Sequence, residues 1–288
     1  MKTAIMTDTN SGITKEEAKE LGIFSLPMPV IIDDKVYFEG TDINQTEFYE
    51  ALTTGKDVKT SQPSPGDVLD MWDMLFDRGY EEIVYIPMSS GLSASCHAST
   101  MLSADYDGKV QVVDNHRISV TMRASVMDAI KLAKQDLGAK EIKERLESNA
   151  YNSSIYLAVD TLEYLKKGGR VTAAAAAIGS VLNLKPVLTI QGEKLDAFAK
   201  VRGMKKAQSK MLEALANDLE NRFNDVDKDK IVLGVAAFVE NPKEAQKWKE
   251  MVEERFSEIK IVYYDDLSFS IGCHVGPGTL GIGISVIE

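Results

Sequence analysis

The sequence is poor in the residues that build metal centres and disulfide scaffolds. Its 288 residues include 2 cysteines and 3 histidines. Cys96 and Cys273 are far apart and neither belongs to a CxxC pair, which excludes a disulfide framework and a structural zinc site. No His, Cys and acidic residues share metal-ligand spacing, so we expect no metal and no other cofactor. Walker and GxGxxG motifs are also absent, which argues against a nucleotide site.

Long apolar runs and an excess of basic charge are absent as well. No stretch approaches the ~18 consecutive apolar residues of a transmembrane helix, and the first residues lack the apolar segment of a signal peptide. With 33 Lys and Arg against 44 Asp and Glu, the net charge is −11. This charge disfavours nucleic acid as a partner and leaves only transient contact with a membrane surface. The sequence therefore predicts a cytoplasmic protein.

Helix and strand signals alternate along the chain and predict an α/β fold. Short apolar strands at 4–6, 83–86 and 110–113 each end in a polar turn, and helix signals separate them. This alternation predicts an N-terminal domain, residues 1–155, with a mostly parallel sheet flanked by helices. Hairpins mixed with helices predict a C-terminal domain, residues 156–288, with a mixed or antiparallel sheet. Ligands of parallel sheets bind at the carboxyl ends of the strands, so we expect a site there.

Short local signals predict several helix starts and one turn. Thr14 and Asn44 each lie three residues before a glutamate, which is the spacing of a capping box. Ser64 followed by Pro65 is predicted to begin a third helix. Residues 33–34 separate two extended segments and predict a tight turn.

Four polar clusters are candidates for binding or chemistry, namely residues 60–64 (TSQPS), 89–93 (SSGLS), 166–170 (KKGGR) and 274–279 (HVGPGT). Ser93 lies where a helix is predicted to begin after a strand. Free backbone N–H groups at such a position favour an anion, such as a carboxylate or a phosphate. The simpler interpretation is that Ser93 only caps the helix.

The SSGLS segment also has an enzymatic interpretation. Residues 91–95 approach the G-x-S-x-G pattern of a nucleophile elbow, and Ser93 precedes His274 in the chain order of α/β-hydrolases. Ser95 stands where that elbow has glycine. A serine hydrolase of acyl esters that uses Ser93 and His274 is therefore an alternative to a binding site.

His274 and two arginines also have two interpretations each. His274 precedes a turn that contains Gly276 and Gly278, so it is either a surface-loop histidine or a donor to an oxyanion. Arg170 and the basic cluster around Arg202 either face solvent or interact with phosphate or an acidic partner.

Seven segments together resemble the DegV family in order and spacing, over nearly the whole chain: residues 6–11, 60–64, 89–93, 113–114, 165–170, 184–188 and 274–278. This family includes the fatty acid-binding subunits of bacterial fatty acid kinase. The resemblance implies two α/β domains, in a monomer, with a long-chain fatty acid between them. It also implies a binding protein without its own catalytic machinery. In kinase-coupled members, the protein presents the carboxylate to a separate ATP-dependent kinase, which forms an acyl phosphate for phospholipid synthesis.

The resemblance also implies roles for individual residues. The positions that match carboxylate binding are Thr60, Ser61, Ser93 and His274, with supporting positions at Ser90, Gly91, Gly276 and Gly278. Arg170 and Arg202 match positions of ligand closure and kinase docking. Two segments depart from the family pattern: residues 94–97, which follow SSGLS, and Gly203, where the family usually has threonine. A DegV-type binder of another lipid, with no kinase role, is a further alternative.

Overall fold

The computed structural model describes residues 2–177, 184–259 and 261–288. Its strands are β1 (Thr3–Asp8), β2 (Phe24–Leu26), β3 (Pro29–Ile32), β4 (Lys35–Phe38), β5 (Val58–Thr60), β6 (Glu82–Ile86), β7 (Val110–Val112), β8 (Ser153–Ala158), β9 (Leu184–Ile190), β10 (Asp196–Arg202), β11 (Ile231–Phe238), β12 (Ile261–Asp265) and β13 (Thr279–Val286). Its α-helices are α1 (Lys15–Leu21), α2 (Gln45–Thr53), α3 (Pro65–Asp77), α4 (Ser95–Ser103), α5 (Ser119–Ala133), α6 (Ala139–Ser148), α7 (Glu163–Gly168), α8 (Ala173–Ala176), α9 (Met204–Asn221), α10 (Pro242–Arg255) and α11 (Phe269–Val275).

The N-terminal half is built on a parallel four-stranded sheet with strand order β2-β1-β6-β7. Successive side chains of a strand point to opposite faces. Ile5 and Val84 accordingly pack on the side of α1, α5 and α6, whereas Ala4 and Tyr85 pack on the side of α3 and α4. The predicted parallel sheet with helices on both faces is confirmed.

A small antiparallel sheet, β4-β3-β5, accompanies the parallel one. Asp33 and Asp34 connect β3 to β4 with φ angles of 49° and 65°, the left-handed conformation that a two-residue hairpin turn requires. The turn predicted at 33–34 is therefore confirmed. In β5, Thr60 pairs with Val30 at the end of the strand, which places the TSQPS segment directly beyond this sheet.

The C-terminal half contains a six-stranded sheet with strand order β10-β9-β8-β13-β11-β12. Its neighbouring strands are antiparallel except for β11 and β12, so the predicted mixed sheet is confirmed. The domain boundary drawn at 155 falls inside β8, which pairs with β9 and β13. One face of this sheet packs against α9 and α10. The other face turns towards the N-terminal half.

Helix α5 lies between the two large sheets and packs against both. Its residue Val120 contacts the C-terminal sheet at two glycines, since a Cβ atom on Gly234 or Gly283 would lie 2.3 or 2.7 Å from side-chain atoms of Val120. Helix α11, in turn, reaches from the C-terminal half to β3, β5 and α2. These two helices bring the halves together around a shared apolar core.

The local helix signals in the sequence agree with the structure. Thr14 and Asn44 cap α1 and α2 in reciprocal capping boxes, and Ser64 caps α3 with Pro65 in its first turn. Helices α6 and α11 were not predicted. Helix α11 spans only seven residues and contains Gly272, so tertiary packing has to stabilise it.

Candidate functional site

A cavity lies between the two halves of the molecule. It encloses about 880 Å³ of space between atoms, including the solvent at its opening. Most of its wall is apolar and comes from α5, α11 and the C-terminal sheet. Apolar lining residues include Met28, Met88, Leu92, Ile118, Val120, Ile155, Leu157, Leu165, Ile190, Leu195, Ala236, Leu267 and Ile282.

Polar side chains gather at one part of this wall, and we refer to Thr60, Ser93, Arg170 and His274 as the headgroup cluster. Thr60 ends β5, and His274 lies in the last turn of α11. Thr60 Oγ1 and His274 Nε2 are 2.9 Å apart, within hydrogen-bonding distance, although 214 positions separate the two residues in the sequence. His274 is therefore half-buried in a helix, not in a surface loop.

The environment of His274 keeps its imidazole neutral. Burial, and secondarily the positive charge of Arg170, lower the pKa of His274 to about 4. A neutral imidazole carries one donor and one acceptor nitrogen. If Nε2 donates to Thr60, the threonine hydroxyl can donate its proton to a ligand. The pair can thus hold an anion without a formal countercharge on the ring.

Arg170 supplies the positive charge of the headgroup cluster. Its guanidinium donates to the backbone carbonyls of Gly168 and, at 3.4 Å, of Leu92. These two bonds hold the side chain between α7 and the SSGLS segment. Gly168 is essential to this arrangement, because a Cβ atom there would lie 2.1 Å from His274 Nδ1.

Ser93 and Ser61 both line the cavity, as the Thr60–His274 pair does. Ser93 Oγ accepts a hydrogen bond from the backbone N–H of Ser95 at 3.2 Å, so its own proton can be donated to a ligand. The simpler interpretation of Ser93 as the helix cap is wrong, because α4 begins at Ser95 with Ala94 at its N-cap position and without a side-chain cap hydrogen bond. Ser61 Oγ donates to the carbonyl of Gln62 at 2.9 Å.

The turn between β9 and β10 covers the SSGLS segment. Ser89 is fully buried and its Oγ donates to the carbonyl of Gly192 at 2.9 Å. A Cβ atom on Gly91 would lie 2.9 Å from the Cα of Glu193, so Gly91 permits this close approach. Since Ile190 and Leu195 flank the turn and line the cavity, the turn closes the cavity on this side.

Other residues assigned by the sequence lie behind the cavity wall or away from it. The backbone N–H of Ser90 bonds to Asp114. Gly276 has a φ of 76° and leaves space for the ring of Tyr164, while the N–H of Gly278 bonds to the carbonyl of Phe238 at 2.8 Å. These backbone roles are distinct from direct contact with a ligand.

Arg202 lies apart from the headgroup cluster. It is exposed at the end of β10, next to the exposed residues Lys200, Lys205 and Lys206. Its role in kinase docking stays a prediction. Ser119 and Ser270 line the cavity without having been singled out in the sequence. No motif marks them, and only the tertiary positions of α5 and α11 bring them to the cavity.

Two further findings concern metal-binding groups of side chains and membrane-spanning helices. Over the described part of the chain, no group of three or more His, Cys, Asp or Glu side chains is placed to hold a metal ion. Within residues 2–177, 184–259 and 261–288, no helix is long and apolar enough to cross a membrane.

Comparisons with known proteins agree on one family. The model of the DegV family matches residues 2–286. A DegV domain-containing protein from Listeria innocua is 30% identical over 292 residues, covering 99% of each chain.

Two solved structures share the fold over almost their entire length. A DegV family protein from Thermus thermophilus, described as binding fatty acid, superposes with a TM-score of 0.88 at 26% identity and full coverage of both chains. DegV from Bacillus subtilis, described as a fatty acid binding protein, superposes with a TM-score of 0.85 at 26% identity over 99% of each chain.

Proposed function

Because the chain belongs to the DegV family, we propose that it binds a long-chain fatty acid in the cavity between its halves. The acyl chain lies along the apolar wall, and the carboxylate meets Thr60, Ser93 and His274. The observation that carries this proposal is the Thr60–His274 pair at the polar part of an otherwise apolar cavity. The fatty acid binding described for the proteins of Thermus thermophilus and Bacillus subtilis supports it.

The physical chemistry of the cavity suits such a ligand. Each methylene group transferred from water to an apolar wall contributes about 0.8 kcal/mol, so a dozen contribute roughly 10 kcal/mol before the costs of binding. A buried carboxylate needs hydrogen-bond donors, because an unpaired buried charge is costly. The hydroxyls of Thr60 and Ser93 supply donors, and Arg170 adds a nearby positive charge.

The geometry favours binding over ester hydrolysis. His274 Nε2 lies beside Thr60 Oγ1, while Ser93 Oγ accepts from a backbone N–H. Ser93 is not among the residues with a positive φ, in contrast to the strained serine of a nucleophile elbow. A pKa of about 4 makes His274 a weak general base at neutral pH. We therefore propose a binding protein without catalytic machinery or a cofactor.

We further propose that the protein presents the carboxylate to a separate ATP-dependent fatty acid kinase in the cytoplasm. A carboxylate oxygen attacks the terminal phosphorus of ATP, the bond from that phosphorus to ADP breaks, and an acyl phosphate forms for phospholipid synthesis. The support is the resemblance in the segments that contain Arg170 and Arg202. The alternative without a kinase is a binder of another amphipathic acid.

Native mass spectrometry of protein purified from bacteria tests the fatty acid proposal. We expect a bound acid of long-chain mass. After delipidation, the same acid added at 100 times its dissociation constant should increase the free energy of unfolding by about 2.7 kcal/mol. Protein that is repeatedly empty and gains no stability from any long-chain fatty acid would contradict the proposal.

The kinase proposal needs a separate measurement with a fatty acid kinase and ATP. We expect Arg202→Ala to bind fatty acid with an unchanged dissociation constant and to form acyl phosphate more slowly. Lys140→Ala, at an exposed residue of α6, is a control with the same change in charge. If Arg202→Ala empties the cavity, its assignment to docking is wrong.

A further inference from the structure

A second cleft lies on the outer side of the headgroup cluster. It encloses about 1250 Å³, including the solvent at its mouth, and it is lined mainly by α7, β5 and the segment before β5. Thr60, Arg170 and His274 line both this outer cleft and the apolar cavity. The wall between the two spaces is therefore only a few side chains thick.

The outer cleft is basic, although the protein as a whole is acidic. Its charged lining residues are four cations and one anion, namely Lys56, Lys59, Lys167, Arg170 and Glu163. Asp57, which contacts two of the lysines, is a second anion beside the cleft, so cations still outnumber anions there. The whole chain, by contrast, has a net charge of −11. Such a local reversal of charge attracts an anion to this place on the surface.

Two of the lysines are held in position by a shared carboxylate. Asp57 Oδ2 lies 2.5 Å from Lys59 Nζ, and Asp57 Oδ1 lies 3.2 Å from Lys167 Nζ. Lys59 comes from β5 in the N-terminal half, and Lys167 comes from α7 in the C-terminal half. Both lysine side chains are more than half-exposed, with 54% and 63% of their surface accessible. They can therefore bind an incoming anion while Asp57 keeps them together.

From this juxtaposition we propose that the outer cleft binds the phosphoryl group of an acyl phosphate whose acyl chain remains in the apolar cavity. The inference rests on the proposed function, because it assumes that a carboxylate occupies the headgroup cluster. The phosphoryl group is bonded to a carboxylate oxygen and so must lie beside Thr60 and His274. It carries up to two negative charges, for which Lys59 and Lys167 provide charge-assisted donors.

This arrangement gives the two spaces different selectivities. The apolar cavity binds the acyl chain of the acid and of the acyl phosphate equally, since the chain is the same in both. The lysines of the outer cleft contact only the phosphorylated form. The protein should therefore retain the acyl phosphate after the kinase has left.

A pair of ligands with one acyl chain tests the proposal. The first is palmitic acid, and the second is the palmitoyl β-ketophosphonate, in which a CH₂ group replaces the bridging oxygen and prevents hydrolysis. Dissociation constants are measured for both ligands, without kinase, on the delipidated wild type and on the double variant Lys59→Ala/Lys167→Ala. The control is Lys140→Ala/Lys243→Ala, which removes the same charge from exposed positions in α6 and α10.

We expect the Lys59/Lys167 variant to bind the ketophosphonate at least about tenfold more weakly than the wild type, because charge-assisted hydrogen bonds are lost. Its dissociation constant for palmitic acid should stay within about twofold, and the control variant should behave like the wild type. The difference in ketophosphonate affinity between the wild type and the Lys59/Lys167 variant should shrink at high ionic strength.

Two outcomes overturn the inference and leave fatty acid binding intact. In the first, palmitic acid binds but the ketophosphonate does not. In the second, the Lys59/Lys167 variant binds the ketophosphonate no more weakly than the control variant does. If neither palmitic acid nor any other long-chain fatty acid binds to the wild type, the proposed function fails, and this inference fails with it.

Discussion

Two polar clusters join the halves of the molecule, and they use their hydrogen bonds differently. The interface cluster consists of Asp8, Asn10, Ser119, Asp265, Ser268 and Ser270, all of them buried. There, Asn10 Nδ2 donates to Asp8 at 2.8 Å, and Asn10 Oδ1 accepts from the hydroxyls of Ser268 and Ser270. Ser119 Oγ donates to Asp265 at 2.5 Å.

The headgroup cluster leaves some of its capacity unused. The hydroxyl protons of Thr60 and Ser93 can point to a ligand, and Arg170 brings a positive charge close to a neutral histidine. The two clusters therefore differ in whether their hydrogen-bond donors are available to a ligand. In the interface cluster, the hydroxyls of Ser119 and Ser270 line the cavity but are already bonded to Asp265 and Asn10. A binding site, by contrast, keeps donors for its ligand.

The largest expected effect is the loss of stability in Asn10→Ala. This change removes the acceptor for two buried serine hydroxyls and a donor to the buried Asp8. Because each unsatisfied buried group costs about 1–3 kcal/mol, we expect the free energy of unfolding to fall by roughly 3–5 kcal/mol. Urea unfolding measures the loss. Asn221→Ala, in an exposed turn of α9, should change it by less than about 0.5 kcal/mol.

His274→Gln should change how stability depends on pH. In the folded wild type the pKa of His274 is about 4, whereas an unperturbed histidine, as in the unfolded chain, has a pKa of 6.5. As the pH falls from 6.5 to 4, the unfolded state binds a proton that the folded state does not. The wild type should therefore lose about 3 kcal/mol relative to the glutamine variant over this range. Urea unfolding of both proteins at several pH values measures this difference, with His97→Gln as the matched control at an exposed histidine.

Asp265→Asn, in the interface cluster, should reveal the opposite dependence of stability on pH. Burial raises the pKa of Asp265 from 3.8 to about 6 in the folded state. As the pH rises from about 4 to 6, the unfolded state releases its proton first, so the wild type should lose up to about 3 kcal/mol relative to the asparagine variant. The same unfolding series tests it, with Asp225→Asn at an exposed position for comparison. If the free energy of unfolding, relative to the His274→Gln and the Asp265→Asn variant, changed with pH in the same direction, there would be no electrostatic contrast between the clusters.

Thr60→Val should have the smallest effect on stability and a clear effect on binding. Valine keeps the shape of threonine but loses the hydroxyl beside His274. We expect the dissociation constant for fatty acid to rise about tenfold, which corresponds to about 1.4 kcal/mol. Thr60→Ser retains the hydroxyl and should bind like the wild type. Equal binding by the valine and serine variants would mean that Thr60 does not contact the carboxylate.

The sequence by itself determined features that depend on near neighbours. The capping boxes of Thr14 and Asn44 and the turn at 33–34 involve residues only a few positions apart, and all three are present in the structure. The alternation of helix and strand signals was enough to predict the parallel and mixed sheets. The order and spacing of seven motifs were enough to indicate the family.

Only the tertiary structure decided what depends on distant residues. The pairing of Thr60 with His274 joins positions 214 apart, and it depends on α11, a helix that local signals did not predict. The low pKa of His274 and the lysines gathered around Asp57 arise in the same way, from packing between the two halves. Hydrogen-bond geometry, burial and local charge are set by which side chains the fold brings together. Sequence order does not specify those contacts.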